Sequence, residues 1–234
     1  MKPFKIRCSA IGKIMTNARS KDQLSKTCQT YLDNWIKEQV YGRRKLVTTK
    51  YMDKGNIMED DAIDMLADYL GAGLLIKNEQ SYSDEYMTGT PDIIMDNCIP
   101  DVKSSWDFTT FPLLDQKLPN KDYYWQIQGY LSLTNKSKGQ IAYCLLDTPM
   151  HLIEREARSY CYNNGYGELD DAILNKYIQR MTYKDIDKKY KIRVFDVDRS
   201  DDDIQAIKDR VKQCNDYINQ EFYYNILLDS SKIK

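Results

Sequence analysis

The spacing of apolar residues changes partway along the chain, and this change limits the possible fold more than any other sequence feature. Over residues 21–40 and about 52–70 the apolar residues recur at helical intervals, and Gly42 and Gly71 follow these segments as stop signals. Beyond them, four short apolar runs bounded by turn residues predict strands at Leu74–Lys77, Tyr86–Gly89, Pro91–Asp96 and Cys98–Ser104. Two helices followed by a run of strands predict mixed α and β structure.

The second half of the chain continues to alternate between the two spacings. The predicted elements are a helix at 121–134, a buried strand at Gln140–Leu146, a helix near 167–181, a strand at Lys191–Val197 and a helix from Asp201 to about Phe222, with Ser200 or Asp201 as its N-cap. This order predicts an α/β (α+β) fold with a mixed central β-sheet flanked by helices.

No internal repeat or Pro/Gly-rich linker divides the sequence. We therefore expect a single domain over 1–234, with N-terminal helices in 1–70, a core at about 71–150 and a C-terminal helix-strand-helix at 151–234. No apolar run approaches the roughly 20 residues that span a bilayer. Lys13 interrupts the apolar stretch near the N-terminus, so we predict no signal peptide. The expectation is a cytoplasmic protein without membrane contact.

The histidine and cysteine content limits the kinds of catalytic and metal-binding site that the chain can form. The chain has a single histidine, His151, which leaves little room for a Ser-His-Asp triad, an H-E-x-x-H zinc site or a histidine-based metal nuclease. Its six cysteines are scattered without a C-x-x-C pair, as expected of free thiols rather than zinc or iron–sulfur ligands. Any catalysis must therefore use carboxylates, lysines or tyrosines.

One acidic segment has the features of a cation site. Asp101 and Lys103 are two residues apart on a predicted strand, so their side chains share a face. Asp92 lies on the preceding predicted strand, across a turn at Asp96-Asn97. Two carboxylates held together repel unless a cation lies between them, and Mg²⁺ prefers such oxygen ligands. A nearby lysine can orient or deprotonate an attacking water, or stabilise developing charge.

A D-x-K tripeptide by itself is weak evidence for a catalytic site, but the residues around this one strengthen it. Pro91-Asp92, eight intervening residues and Asp101-Val102-Lys103 resemble the signature of PD-(D/E)XK nucleases. Gly55 to Glu59 is similar to the G-x-x-x-E element of that superfamily, and Gln126 to Tyr130 is similar to the Q-x-x-x-Y motif of its RecB-like branch. Within that branch the chain resembles the phage lambda-type exonucleases, also called YqaJ-type viral recombinases, over the segments 6–15 and 142–149 as well.

The resemblance implies a restriction-endonuclease-like core and a set of functional residues. The implied catalytic residues are Glu59, Asp92, Asp101, Lys103 and Gln126. The implied ligands of Mg²⁺, for which Mn²⁺ can substitute, are Glu59, Asp92, Asp101 and the backbone carbonyl of Val102. The implied DNA-binding residues are Arg7, Ser9, Ser104, Ser105, Tyr130 and Trp106, with Trp106 and Phe108 as candidates for wedging open a duplex end. Plainer interpretations stay open: Glu59 can face solvent, Tyr130 can be a core aromatic, and the two serines can simply end a strand.

The resemblance also implies an activity. It predicts a metal-dependent exonuclease that digests double-stranded DNA from 5′ to 3′, prefers ends with a 5′-phosphate and serves viral single-strand-annealing recombination in the host cytoplasm. Its expected partners are DNA, a single-strand-annealing protein and further copies of the chain in a ring, as a trimer. Two alternatives stay open: a RecB-like single-strand nuclease or endonuclease with the same site, and an inactive DNA-binding scaffold, against which the complete residue set argues.

Overall fold

The computed structural model describes residues 3–18 and 23–222, and the strands in this part of the chain form two three-stranded sheets. The first sheet has the order β1-β3-β2, and its strands are β1 (Ile6–Arg7), β2 (Tyr82–Ser83) and β3 (Met87–Gly89). The second has the order β4-β5-β6, with β4 (Cys98–Ser104), β5 (Lys138–Cys144) and β6 (Ile192–Asp198). Each sheet contains one parallel and one antiparallel pair, so the predicted mixed strand pairing is confirmed, although in two sheets.

Eight α-helices surround these strands in the described residues. They are α1 (Ile11–Ile14), α2 (Lys26–Tyr41), α3 (Lys50–Ile57), α4 (Glu59–Leu70), α5 (Lys121–Thr134), α6 (Met150–Asn163), α7 (Asp171–Met181) and α8 (Asp201–Phe222). Helix α2 begins after Ser25, whose side chain accepts a hydrogen bond from the Cys28 N–H, and it ends at Gly42 in a left-handed conformation with φ 60°. The first residues of the predicted helix 21–40 lie outside the described residues, as do 223–234 of the predicted domain.

Side chains of the second sheet alternate between two apolar layers. One layer packs the sheet against α2, α5 and α8 and contains Ile99 of β4. The other packs it against α4 and contains Val102 of β4. Since alternate strand residues point to opposite faces, Asp101 and Lys103 share the face of Ile99, toward α5. The predicted fold class, a mixed sheet flanked by helices, is confirmed, and the sheet places an acid and a lysine beneath one helix.

Three predicted elements differ from the structure. The predicted helix at 52–70 is two helices, α3 and α4, which meet at Met58, where φ is −98° and ψ is 11°. The predicted strands Leu74–Lys77 and Pro91–Asp96 are wrong, because only one bridge, Lys77 to Ile93, joins these segments. The turn between Met95 and Cys98 does form, with a 2.9 Å hydrogen bond from the N–H of the first to the carbonyl of the second.

Helix α6 was not predicted at all. Its buried residues Leu152, Ile153, Ala157 and Cys161 follow helical spacing, but they alternate with charged residues and the helix starts directly after Pro149. Helix α7, predicted near 167–181, starts only after Asp170, whose side chain caps it. Among the described helices, none is long and apolar enough to cross a bilayer.

Candidate active site

An open cleft of about 420 Å³ lies between helix α3, the start of α4, strand β4 and helix α5. The residues that line it are Ser9, Tyr51, Met52, Gly55, Asn56, Glu59, Asp92, Val102, Lys103, Ser104, Tyr123 and Gln126. Five of them, Glu59, Asp92, Val102, Lys103 and Gln126, are among the residues predicted for catalysis or metal binding. The structure therefore brings distant motifs of the sequence to one place.

A buried polar chain runs from helix α5 to strand β4. Gln126 donates hydrogen bonds from Nε2 to the Tyr130 hydroxyl and to Asp101 Oδ1, each at 3.0 Å. Asp101 is fully buried, and its second oxygen forms an ion pair with the Lys103 ammonium. Gln126 and Lys103 together fix the Asp101 carboxylate from two sides, so the Gln126-to-Tyr130 motif acts here as a clamp on an acidic residue.

The charge on Lys103 is set by its neighbours. Burial by itself lowers the pKa of Lys103, but the carboxylates of Asp101 and Asp92 outweigh burial and hold the pKa above its ordinary value. The ammonium also lies 4.9 Å from the centre of the Tyr123 ring, at cation–π distance. An ammonium held in this way is suited to orienting a water or stabilising negative charge rather than to accepting a proton.

Asp92 reaches the same place from a loop rather than from a strand. Its Oδ2 accepts a 3.0 Å hydrogen bond from the Val102 N–H, at the edge of β4 away from β5. Burial, followed by the charge of Asp101, raises the pKa of Asp92 to about 7, against the opposing effects of Lys103 and the Val102 N–H. Added positive charge near Asp92 would therefore favour its ionised form.

The donor set fits a hard divalent cation. Asp101 Oδ2 is buried, and apart from its ion pair with Lys103 it accepts no hydrogen bond from the described residues. The N–H and C=O of one strand residue point to the same edge, so the Val102 carbonyl faces the edge where Asp92 binds. Two carboxylates and a carbonyl, completed by water, match the ligands that Mg²⁺ prefers.

Glu59, a further predicted ligand, also lines the cleft, and its charge adds to the effects that raise the pKa of Asp92. Its carboxylate forms an ion pair of 2.7 Å with Lys77. Within residues 3–18 and 23–222, no three His, Cys, Asp or Glu side chains are grouped closely enough to hold a metal ion together. The Glu59 carboxylate is thus paired with a lysine at the margin of the cleft, and its role as a metal ligand stays a prediction.

The predicted DNA-binding residues divide into two groups. Ser9 and Ser104 line the cleft, and Arg7 is exposed on β1 but lies outside the lining. By contrast, Ser105, Trp106 and Tyr130 are buried, with exposures of 5%, 7% and 5%. The structure argues against direct DNA contact by these three.

Trp106 is a packing residue, contrary to its predicted role at a duplex end. It belongs to an apolar cluster with Leu152 and Ile153 of α6 and Met181 of α7. Phe108, the other residue considered for that role, is 56% exposed.

Sequence reasoning missed one wall of the cleft. Tyr51, Met52, Gly55 and Asn56 form a single face of α3, and of these only Gly55 belongs to a predicted motif as a named position. Tyr123 was missed as well, although it precedes Gln126 by three residues on α5 and therefore lies on the same helix face.

Lys54, on the opposite face of α3, is fully buried. Its ammonium donates to the carbonyls of Trp106, at 2.9 Å, and Leu146, at 2.8 Å, which follow the ends of β4 and β5. Burial lowers the pKa of Lys54 to about 8, although Asp107 and Asp147 act in the opposite direction. This lysine ties the α3 wall of the cleft to the ends of the two strands.

Replacing Lys54 with Met should change how stability depends on pH. Between the folded pKa of about 8 and the ordinary value of 10.5, the unfolded chain binds a proton that the folded chain has released, so this lysine adds stability as pH rises. From pH 7 to 9.5 the wild-type protein should gain about 2 kcal/mol relative to Lys54→Met, and the neutral amine still has N–H groups for both carbonyls. Urea unfolding at several pH values measures this difference.

Lys13→Met is the matched control for this experiment, since Lys13 forms an exposed ion pair with Asp122 at 3.0 Å. It should track the wild-type protein across the same pH range. Parallel stability curves for wild type and Lys54→Met would contradict the prediction.

The chain has the fold of exonucleases of known structure. It is 26% identical to a phage-related exonuclease from Haemophilus somnus 129PT, with a TM-score of 0.73 over 93% of this chain and 94% of that one. It also resembles the alkaline exonuclease LHK-Exo from Laribacter hongkongensis, at 15% identity and a TM-score of 0.66 over 98% of this chain and 95% of that one. The complex of LHK-Exo with dAMP gives 15% identity and a TM-score of 0.67. No family model and no curated protein matches the sequence.

Proposed function

We propose that this chain is a metal-dependent DNA exonuclease. The observation that carries the proposal is the convergence of Asp92 and Lys103, which line an open cleft, with the buried Asp101 carboxylate beside them on β4. The likeness to a phage-related exonuclease over nearly the whole chain supports the same activity. The dAMP bound in the LHK-Exo structure, a DNA nucleotide, supports DNA as the substrate.

The proposed metal is Mg²⁺, with Mn²⁺ as a substitute, and Asp92, Asp101 and the Val102 carbonyl would hold it. When bound, such an ion supplies Lewis-acid polarisation of the phosphate and lowers the pKa of a bound water. Gln126 fixes the Asp101 carboxylate, and the Lys103 ammonium orients the attacking water and stabilises the charge that develops on the phosphate. This division of roles is that of the PD-(D/E)XK nucleases, to whose RecB-like branch we propose the chain belongs.

Polarity, assembly and biological role are proposals that rest on the sequence resemblance. We propose digestion of duplex DNA from 5′ ends that carry a phosphate, in viral single-strand-annealing recombination in the cytoplasm with an annealing protein as partner. A homotrimeric ring would enclose the product strand and make digestion processive. The mass of the protein in solution, measured with and without DNA, tests the proposed ring. A monomer in both conditions would overturn it.

Digestion of linear, nicked and circular duplex DNA tests the activity, with the label at either end of the linear substrate. We expect Mg²⁺ or Mn²⁺ to support release of label from 5′ ends while covalently closed circles stay intact. Ca²⁺ should allow binding without cleavage, since the site is built of oxygen ligands.

Each other outcome of the digestion has a definite meaning. Full activity in excess EDTA would overturn the metal mechanism, and first release from 3′ ends would overturn the polarity. Degradation of circles would point to an endonuclease with the same site.

A further inference from the structure

We propose that Tyr51 is a stacking surface for an unpaired nucleobase at the mouth of the cleft. This inference rests on the proposed function, because it takes DNA as the substrate. Tyr51 lies in the first turn of α3 and lines the same cleft as Lys103 and Ser104. It would contact a nucleotide close to the phosphate that is cut.

The exposure of Tyr51 is unusual for this cleft. Tyr51 is 56% exposed and Met52 is 48% exposed, and these are the two large apolar side chains with high exposure among the residues that line the cleft. Tyr123, the other aromatic residue in the lining, is less exposed than Tyr51, and its ring centre lies 4.9 Å from the Lys103 ammonium. An aromatic ring kept in water beside a site for an anionic polymer has a ready ligand in a base that has left its stack.

The ring of Tyr51 is held in place by its neighbours, although the residue is 56% exposed. Its centre lies 5.7 Å from that of buried Trp106, and the two planes meet at 73°, so Trp106 packs against Tyr51 without stacking on it. None of the other aromatic rings in the described part of the chain pairs with Tyr51.

Positive charge and a firm anchor surround this ring pair. The Lys50 ammonium lies 5.6 Å from the centre of Tyr51 and 4.8 Å from that of Trp106, and Lys50 is tied to Glu156 of α6 at 2.5 Å. The Trp106 carbonyl is in turn bound by Lys54. Because the ring is already ordered, the protein loses little conformational entropy when a ligand binds.

Stacking on an aromatic ring tolerates any base, because every base has a π-face. Tyr51 would therefore favour any nucleotide that can leave the duplex, and it would raise affinity for frayed or unpaired ends without reading their sequence. Its loss should weaken DNA binding by roughly 5- to 100-fold, the usual effect of losing one stacked base.

The test combines variants of Tyr51 with DNA that lacks one base. A single abasic nucleotide is moved through the first positions of a duplex end, and binding in Ca²⁺ and single-turnover cleavage in Mg²⁺ are measured for each substrate. In the wild-type protein one position should weaken binding by roughly 5- to 100-fold. Tyr51→Ala should bind intact DNA about as weakly as the wild-type protein binds DNA with that abasic position. Removing the base at the same position should weaken the binding of Tyr51→Ala no further.

Three further variants separate stacking from packing. Tyr51→Phe keeps the ring and should behave as wild type, whereas Tyr51→Leu keeps apolar bulk against Trp106 and should behave as Tyr51→Ala. Tyr69→Ala is the matched control, because Tyr69 is also 56% exposed but lies on α4 outside the cleft. It should bind and cleave as wild type does.

The inference would be overturned if the abasic position and Tyr51→Ala each weakened binding by the same factor whether or not the other change was present. It would also be overturned if Tyr51→Phe bound DNA as weakly as Tyr51→Ala. If wild type cleaves DNA but no abasic position couples to Tyr51, only this inference fails. If wild type neither binds nor cleaves DNA, the proposed function fails first.

Discussion

Asp101→Asn is expected to remove all measurable cleavage and to leave the protein folded. The substitution keeps an oxygen for the 3.0 Å hydrogen bond from Gln126 but removes the charge that would hold a cation with Asp92. It also relieves the repulsion by which Asp101 adds to the burial effect on the pKa of Asp92. The loss of the Asp101–Lys103 ion pair should lower the melting temperature, but Asp92 remains as a counter-charge for Lys103, so the protein should still fold while the metal site is lost.

A thermal measurement reports this loss independently of activity. A cation that binds only the folded wild-type protein at a hundred times its dissociation constant stabilises it by about 2.7 kcal/mol, so Ca²⁺ or Mn²⁺ should raise the melting temperature. Asp101→Asn should show no such rise. A variant that keeps both cleavage and the metal-induced rise would show that Asp101 is not a ligand.

Asp107→Asn is the matched control for Asp101→Asn. Asp107 is similarly buried, at 4% exposure, and it pairs with Arg180 at 3.4 Å outside the cleft. Asp107→Asn should lower the melting temperature but leave the metal-induced rise in melting temperature unchanged. Both residues are buried acids, but only Asp101 lies at the proposed metal site.

Lys103→Ala is expected to cut the single-turnover rate by roughly 10²–10⁴-fold, the usual contribution of a group that stabilises transition-state charge or positions a reactant. Binding of DNA in Ca²⁺ should change much less, since phosphate contacts elsewhere supply most of the affinity. Lys103→Arg should rescue poorly, because the space between Asp101 and the Tyr123 ring holds a compact ammonium rather than a planar guanidinium.

The stability of Lys103→Ala separates a catalytic from a structural lysine. Without metal, the variant leaves the buried Asp101 carboxylate without its cation and should lose stability, and Ca²⁺ should restore part of that loss. Lys13→Ala removes a lysine from an exposed ion pair and should change stability by about 1 kcal/mol or less and leave the rate unchanged. A Lys103→Ala variant with wild-type cleavage and a lowered melting temperature would identify Lys103 as structural.

The parts of the fold that sequence could predict are those set by local periodicity. Strand β4 was predicted with its observed bounds, and the last helix matches α8. The alternation of a strand was enough to place Asp101 and Lys103 on one face. Asp92 was expected beside them on a paired strand, but it reaches β4 through its carboxylate, a contact that no periodicity encodes.

The parts that sequence could not predict depend on distant segments. Trp106 is buried by Leu152 and Ile153 of α6 and Met181 of α7, which follow it by 46 to 75 positions in the chain, so its neighbours in sequence carry no sign of its burial. The burial of Lys54 has no signal in the sequence, because its carbonyl partners come from residues just beyond the ends of two strands. Glu59 lies in the expected motif, but its pairing with Lys77 depends on how α4 meets the following loop.

The carboxylate of Asp92 has a second effect, on self-association. Strand β4 is first in the order of its sheet, so one edge has no partner strand among the described residues. Such an edge invites pairing with another chain and hence aggregation. Pro100 and Val102 point their backbone nitrogens to that edge, and the first has no N–H while the N–H of the second is taken by Asp92. Loss of Asp92 would uncover a donor at this edge, which makes Asp101→Asn the better-behaved inactive form for trapping a DNA complex.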